Sequence, residues 1–324
     1  MKSLDQYWDS INVISILLLP LSALFYLISS LRKFAYQTGI ISSYKSPVPV
    51  IIVGNINAGG TGKTPLIIEL VKQLQNQGKK PGVISRGYGG QSNSWPQIVS
   101  SNTTAVQVGD EPQLIYQHTQ CPLVVGPNRK DDIELLLKEF SCDVILSDDG
   151  MQHYALQRDI EICVVDANKK FGNGFFIPAG PMRESRSRLK SVDLVLHNGG
   201  DKRDFSFEMN PLDCLSMSKR DLKHGLEFFS GSTVHAVAGI GHPQRFFSML
   251  EKQAINVIPH AYKDHHDYQL SDLIFDDNLN VLMTEKDAVK CINLSLPNHW
   301  SVPVAILLSD TAQDKLNKIF DSII

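Results

Sequence analysis

The chain has 324 residues, 43% hydrophobic and 20% charged, with 31 basic against 34 acidic side chains and a formal net charge of −3. A length of this order fits two domains or one large one; the composition excludes wholesale disorder, and the charge balance excludes a histone-like polycation while leaving local basic sites open. Cys121, Cys142, Cys163, Cys214 and Cys291 stand far apart with no C-x-x-C pair, which argues against a disulfide framework or zinc ribbon and suits a reducing compartment.

In chain order, residues 10–31, SINVISILLLPLSALFYLISSL, carry no charge. About 20 apolar residues let a helix cross a bilayer core. Here the run is diluted by Asn12, Ser15, Ser22, Ser29 and Ser30 and interrupted by Pro20. The start carries Asp5 and Asp9 where a signal peptide would be basic, and no A-x-A-like site follows. The segment reads as a membrane anchor, either spanning or lying in the interface, with Trp8 near one end and Tyr26, Phe34 and Tyr36 near the other as headgroup-zone aromatics. Arg32 and Lys33 behind it put the C-terminal bulk on the cytoplasmic side.

From Pro47, apolar β-branched runs alternate with helical patterns. Strands are expected over 47–54, 82–85, 104–109, 122–126, 143–147, 159–166 and 191–198, with a helix from about Thr64 to Gln77. The polar stretch 199–231 reads as a connection to a second unit, with strands over 233–241, 254–260, 280–286 and 302–308 and a helix over 243–252. A final amphipathic helix has Ala312, Leu316, Ile319, Phe320 and Ile323 on one face. The alternation predicts a P-loop NTPase-like α/β fold, a mostly parallel sheet with helices on both faces, plus a smaller second α/β domain. The expected divisions are 1–46 for the apolar helix and linker, 47–225 for the nucleotide domain and 226–324 for the smaller one, its last strand or helix returning to the first.

The strongest motif is VGNINAGGTGKTPL, 53–66, between an apolar strand and a helix. Asn57, Ala58, Gly59, Gly60, Thr61, Gly62, Lys63 and Thr64 form the expected phosphate cradle, in which backbone N–H groups and the helix N-terminus face phosphate oxygens. Lys63 would reach the β/γ-phosphates of ATP, and the Thr64 hydroxyl would ligate Mg²⁺. Asn57 stands where the strict pattern has glycine, a mild departure because asparagine tolerates left-handed backbone. DVILSDDG (143–150) places Asp148 and Asp149 after an apolar strand, where a P-loop enzyme keeps its metal-side carboxylate; one is expected to face the metal and the other to hydrogen-bond. Asp110 and Glu111 in VGDEP read by themselves as a helix start before Pro112. KDHHDY (263–268) fits a solvated loop, a carboxylate–histidine relay or, less well for want of further ligands, zinc. Arg183, Arg186, Arg188 and Lys190 form a charge run that suits a solvated helix face, anionic lipid or an anionic substrate.

VPVIIVGNINAGGTGKTP, SRGYGG, VGDEP, DDGMQH, IPAGPMRE, KDHH and MTEKDAVKC, in this order, resemble the tetraacyldisaccharide 4′-kinase family of lipid A biosynthesis, from the apolar helix to about Cys291. The resemblance implies transfer of the ATP γ-phosphate to the 4′-hydroxyl of an acylated disaccharide 1-phosphate, giving lipid IVA, at the cytoplasmic face of the inner membrane. It implies two α/β domains joined by a short β linker, no nucleic acid and no obligate protein partner. Carried over by position, it makes Asp110 the base and His265 its relay, pairs Lys63 with Thr64, and adds Asp148, Asp149, Arg183 and Glu184 to the catalytic set. Thr64, Asp149 and Glu184 stand on the metal side, and Arg129 is tied to substrate or phosphate. Met151 and Met182 depart from the family's usual Phe and Leu without loss of apolar bulk.

The main alternative is a membrane-associated P-loop switch ATPase without a lipid product. That class carries a lysine before its double glycine, where this chain has Ala58, and the N-K-x-D motif of a GTPase is missing.

Overall fold

The computed structural model describes residues 7–92, 94–200, 205–219, 221–294 and 296–323. Asp5 and part of the 199–231 connection lie outside these residues.

The apolar N-terminal run forms two helices, α1 (Val13–Leu17) and α2 (Leu19–Gln37). Asn12 caps α1 by accepting the Ser15 N–H, and Pro20 sits in the first turn of α2, where a missing N–H costs nothing. The pair is inside out. Ser15 and Ser22 are its buried residues, and Ser22 donates to the Phe176 carbonyl at 2.7 Å while accepting the Ala179 N–H at 3.0 Å. Leu17, Leu24, Leu27, Ile28, Leu31 and Phe34 are exposed instead. Among the described residues no helix is long and apolar enough to cross a membrane. The spanning form of the anchor is therefore not found: the break at Leu18 splits the uncharged run into pieces. The Trp8 ring N–H donates to the Pro178 carbonyl at 3.0 Å.

The chain then lays down β1 (Val50–Gly54), α3 (Lys63–Asn76), β2 (Pro81–Ser85), β3 (Gln97–Ile98), α4 (Ala105–Val108), α5 (Asp110–Thr119), β4 (Leu123–Val125), α6 (Arg129–Glu139), β5 (Val144–Asp148), β6 (Ile160–Asp166), β7 (Leu194–Asn198) and β8 (Ser206–Pro211). After β8 come β9 (Cys214–Ser216), β10 (Lys223–His224), β11 (Thr233–Ala238), α7 (Pro243–Glu251), β12 (Asn256–Ala261), β13 (Asn280–Thr284), α8 (Glu285–Ala288), β14 (His299–Val302), β15 (Val304–Leu308) and α9 (Asp310–Ile323).

These strands make a nine-stranded sheet, ordered β15-β8-β7-β6-β1-β5-β2-β4-β3, and a six-stranded one, ordered β10-β9-β14-β13-β11-β12. The central strands of the first sheet are parallel and buried on both faces, as their unbroken apolar runs require. Leu66 and Leu70 of α3, Ile115 of α5, and Leu316 and Phe320 of α9 cover one face, while Ile133 and Leu136 of α6 cover the other. The five cysteines are free and buried.

Three sequence expectations change. Residues 104–109 form a helical turn instead of a strand, because Thr104 and Gln107 make a reciprocal capping box. The 302–308 run splits at Pro303, which has no N–H for a ladder: β14 stays in the six-stranded sheet, and β15 pairs antiparallel with β8 in the nine-stranded one. The forward crossing lies between β8 and β9, so β9 and β10 belong to the second sheet although they precede residue 226.

Candidate active site

The site is assembled at the C-terminal ends of the parallel strands, where an open α/β sheet leaves a crevice. β1 delivers the glycine-rich loop. Gly62 has φ +95°, and a Cβ there would lie 2.5 Å from Asn198 Nδ2, so glycine is demanded both by backbone and by space. The loop is held from three sides: Asn198 donates to the Thr61 carbonyl at 2.9 Å, Asn55 donates to the Thr61 hydroxyl at 3.2 Å, and the Ala58 N–H donates to the Pro181 carbonyl at 2.7 Å. Arg183 N–H in turn donates to the Ile56 carbonyl at 2.7 Å. This backbone zipper brings Arg183 and Glu184 beside a loop more than a hundred residues earlier. Asn57, the departure from the strict motif, uses its amide on the Lys170 carbonyl at 2.5 Å.

β5 delivers the two aspartates, and the left-handed backbone at Asp149 (φ +49°) sends their side chains to different partners. Asp149 faces Lys63 Nζ at 3.4 Å and Arg183 at 2.9 Å. Burial pushes its carboxyl up, but the two cations outweigh that and hold it well below the usual carboxylate range. Asp148 is buried and accepts from Ser85 at 3.1 Å, while its Oδ1 has no hydrogen-bond partner. Burial, then the charges of Glu111 and Asp149, push its carboxyl up to about 7 against Lys63. A buried carboxylate with an unpartnered oxygen suits a nearby cation.

Two expected residues are placed differently. Glu184 is closed to a metal: it accepts from Gln152 at 2.8 Å and Tyr154 at 2.5 Å, and pairs with Arg188 at 3.3 Å and Lys33 at 3.6 Å. It ties α2 to the sheet. Arg129 is 3% exposed and donates to the Gly126 carbonyl, to Asp132 at 3.2 Å and to the Asp148 carbonyl at 3.1 Å, so it braces the end of β5 and does not reach into the cleft. Replacing it with methionine leaves Asp132 buried and unpaired, which costs about 3–5 kcal/mol of stability. Thermal unfolding checks this. A raised KM for lipid with unchanged stability would instead favour direct substrate contact.

The second unit supplies the rest. His265, in left-handed backbone (φ +59°) within the loop after β12, places Nδ1 3.0 and 3.1 Å from the two oxygens of Asp110 at the start of α5. Burial pushes Asp110 up, but the His265 hydrogen bond and the charges of Lys286, His265 and Lys290 bring it below its ordinary value. The Asp110 hydrogen bond raises His265, against burial and Lys286. The Tyr88 ring, from the SRGYGG loop, lies 5.0 Å from the imidazole.

A cavity of about 700 Å³ lies between the two sheets, lined by Gly60–Thr64, Glu111, Asn198, Arg245 and Lys286 with Met209, Phe246 and Met249. The glycine-rich loop and Glu111 line this cavity, while Asp149 meets its lining residue Lys63 and the Asp110–His265 contact lies beside its lining residue Lys286, an arrangement suited to phosphoryl transfer. Gln152, Tyr154, Ser85, Asn198 and Lys286 were not singled out in the sequence. Their roles rest on contacts between distant segments; for Lys286 the local signal was its place behind an apolar strand in MTEKDAVKC.

The family model described as tetraacyldisaccharide-1-P 4′-kinase matches residues 14–323. A tetraacyldisaccharide 4′-kinase of Pseudoalteromonas translucida (strain TAC 125) is 46% identical over 321 residues, spanning 98% of this chain and 97% of its own. That of Pasteurella multocida (strain Pm70) is 49% identical over 304 residues, spanning 92% and 93%. The crystal structure of LpxK from Aquifex aeolicus in complex with ATP superposes with a TM-score of 0.78 at 26% identity, covering 96% of this chain and all of that one. The chain belongs to the tetraacyldisaccharide-1-phosphate 4′-kinase family.

Proposed function

We propose a division of labour among the cleft residues for the family's reaction, in which the γ-phosphate of ATP passes to the 4′-hydroxyl of a tetraacyldisaccharide 1-phosphate. That reaction is this chain's activity. The glycine-rich loop and Lys63 hold the β/γ-phosphates, and Arg183 adds positive charge beside Lys63 where charge spreads over the transferring group. Asp110 accepts the proton of the sugar hydroxyl, too weak an acid to ionise unaided, and His265 takes it onward. The observation that carries this is the Asp110–His265 contact, since its partners come from the two sides of the nucleotide cleft.

Mg²⁺ fits the residues present. Among the described residues no group of three or more His, Cys, Asp and Glu could hold a metal ion by itself. Mg²⁺ with a nucleotide needs only one or two protein oxygens, keeping waters and phosphate oxygens for the rest. Thr64 and the unpartnered Oδ1 of Asp148 would supply them, in preference to Asp149, which already faces two cations, and to Glu184. Bound there, the ion would neutralise phosphate charge.

The enzyme works docked on the inner membrane at its cytoplasmic face, with the exposed side of α2 in the lipid interface and the charges of Arg32 and Lys33 behind it. The acylated substrate stays in the bilayer, so the cleft must come to it. Replacing Leu24, Leu27 and Leu31, which are 52%, 55% and 59% exposed, with glutamate is expected to weaken vesicle binding at least tenfold, since each leucine buried contributes about 1.5–3 kcal/mol. ATP affinity should not move. Unchanged vesicle flotation of the triple variant would refute the docking.

The direct test incubates the protein with ATP, Mg²⁺ and tetraacyldisaccharide 1-phosphate in detergent and weighs the lipid. A gain of one phosphate is expected; ATP turnover without it would favour the switch ATPase.

A further inference from the structure

The β13–α8 turn contains a lysine that the chemistry above leaves without a task. Lys286 Nζ lies 2.8 Å from Glu111, 3.2 Å from Asp264 and 4.0 Å from Asp110. Glu111 and Asp110 begin α5, on the side of the nine-stranded sheet. Asp264 belongs to the loop that carries His265, and its Oδ1 accepts the His265 N–H at 3.1 Å. One ammonium therefore joins the two halves of the proton-accepting pair.

We propose that Lys286 is a positioning residue for the Asp110–His265 pair: its ammonium draws the histidine loop of the second unit onto the carboxylates of α5 and so sets the approach of His265 to Asp110. The inference rests on the reading of Asp110 and His265 as the pair that accepts the hydroxyl proton.

The turn holding Lys286 is rigid. Thr284 caps α8 by accepting the Asp287 N–H, and the fully buried Asp287 accepts the Thr284 hydroxyl at 2.5 Å and the Gly239 N–H at 2.8 Å. Gly239 leads to Gly241, whose backbone packs so tightly on Gly60 that an added Cβ would lie 2.6 Å from the Gly60 nitrogen. The same turn thus braces the phosphate-loop contact and the acid–base contact. Lys290 holds the histidine loop from below by donating to the His266 carbonyl at 3.1 Å.

Removing the Lys286 charge leaves Asp110, Glu111 and Asp264 facing one another with only His265 between them. Repulsion then opens the loop from α5. The groups facing the pair are Glu111 from α5, Asp264 on the loop, Lys286 and Lys290 from the second unit, and the Tyr88 ring. Opening the loop takes from His265 the Asp110 hydrogen bond that raises it, so the imidazole returns towards its ordinary value and the acid limb of kcat moves to lower pH.

The test compares Lys286→Met, Lys286→Arg, His265→Ala, Asp110→Asn and Lys286→Met/His265→Ala in the full chain, reading kcat across pH, KM for ATP and ATP binding. We expect Lys286→Met to lower kcat at least tenfold, within the usual worth of one acid–base group, with KM for ATP changed less than about threefold. Its acid limb should move to lower pH, and Lys286→Arg should recover most of the rate. In the His265→Ala background the same substitution should cost about twofold or less, because residues acting as a unit are not additive. An unshifted acid limb in a variant that binds ATP, or a full further loss in the His265→Ala background, would overturn the inference. If Asp110→Asn leaves kcat unchanged, the acid–base reading itself falls; a slow Asp110→Asn with a fast Lys286→Met removes Lys286 alone.

Discussion

Replacing Asp110 with asparagine is expected to lower kcat about 10²–10⁴-fold, the range for removing a general base, with little change in KM for ATP. Asparagine keeps the volume and one acceptor oxygen but cannot take a proton, so nucleotide binding survives while the hydroxyl stays protonated. The 4%-exposed site makes the effect large, because water cannot substitute for the carboxylate. The pH dependence follows from the pair. His265 sits above its ordinary 6.5 and Asp110 below its ordinary 3.8, so at low pH they stand as imidazolium and carboxylate. Imidazolium cannot accept a further proton. As pH falls through the raised His265 value the relay closes, and kcat should decline with an apparent pKa above 6.5 that belongs to the coupled pair. His265→Ala should abolish this limb. Profiles of kcat from about pH 5 to about pH 9 decide it, and a limb that persists in His265→Ala would exclude the relay.

Lys63→Met should lower kcat about 10²–10³-fold or more, the loss found when one preorganised donor to developing charge is removed. Lys63 opens α3 directly after Gly62, which places it at the helix N-terminus, where an anion is favoured. Its ammonium faces Asp149 at 3.4 Å, and methionine would leave Asp149 to Arg183 alone. Arginine should not rescue, since its planar fork does not replace a compact ammonium on a flexible stem. Single-turnover measurements at saturating ATP separate this from weakened binding. A methionine variant within tenfold of the parent rate would show that Lys63 does not contact the transferring group.

The phosphate loop was legible because its signal is local: apolar strand, glycines, lysine and helix within fourteen residues, each demanded by backbone or charge. The parallel sheet was legible for a similar reason, since strands buried on both faces must read as unbroken apolar runs. Residues 104–109 misled on the same logic, because a short apolar alternation does not separate a strand from a capped turn, and the Thr104–Gln107 box decided it. The return of the last strand and helix to the first sheet was expected, but the forward crossing at β8–β9 and the split at Pro303 were not, because pairing partners are not encoded in either segment alone.

The residues read from the motifs behaved unevenly. Lys63, Asp148 and Asp149 converge as their spacing implied. Asp110 and His265 meet at 3.0 Å, although by themselves they looked like a helix start and a solvated loop. Arg129 and Glu184 stand where expected in the chain, yet their charges are taken by neighbours. No sequence pattern distinguishes a guanidinium that faces a ligand from one that braces a strand end; its neighbours do.

The uncharged stretch 10–31 shows the division most clearly. Its composition determined that this segment prefers an apolar medium, because nothing in it is charged. Tertiary structure decided which face is exposed: Ser15 and Ser22 turn inward to buried contacts, and the leucines turn outward. A hydrogen bond from Ser22 to Phe176 spans 154 residues, and only the folded chain brings those groups within reach. By itself the sequence determined the nucleotide chemistry and the uncharged, apolar character of residues 10–31, since both depend on residue types at short spacing. The meeting of Asp110 with His265, the contacts of Lys286 and the orientation of α2 depend on distances between remote segments, which only the packed sheets set.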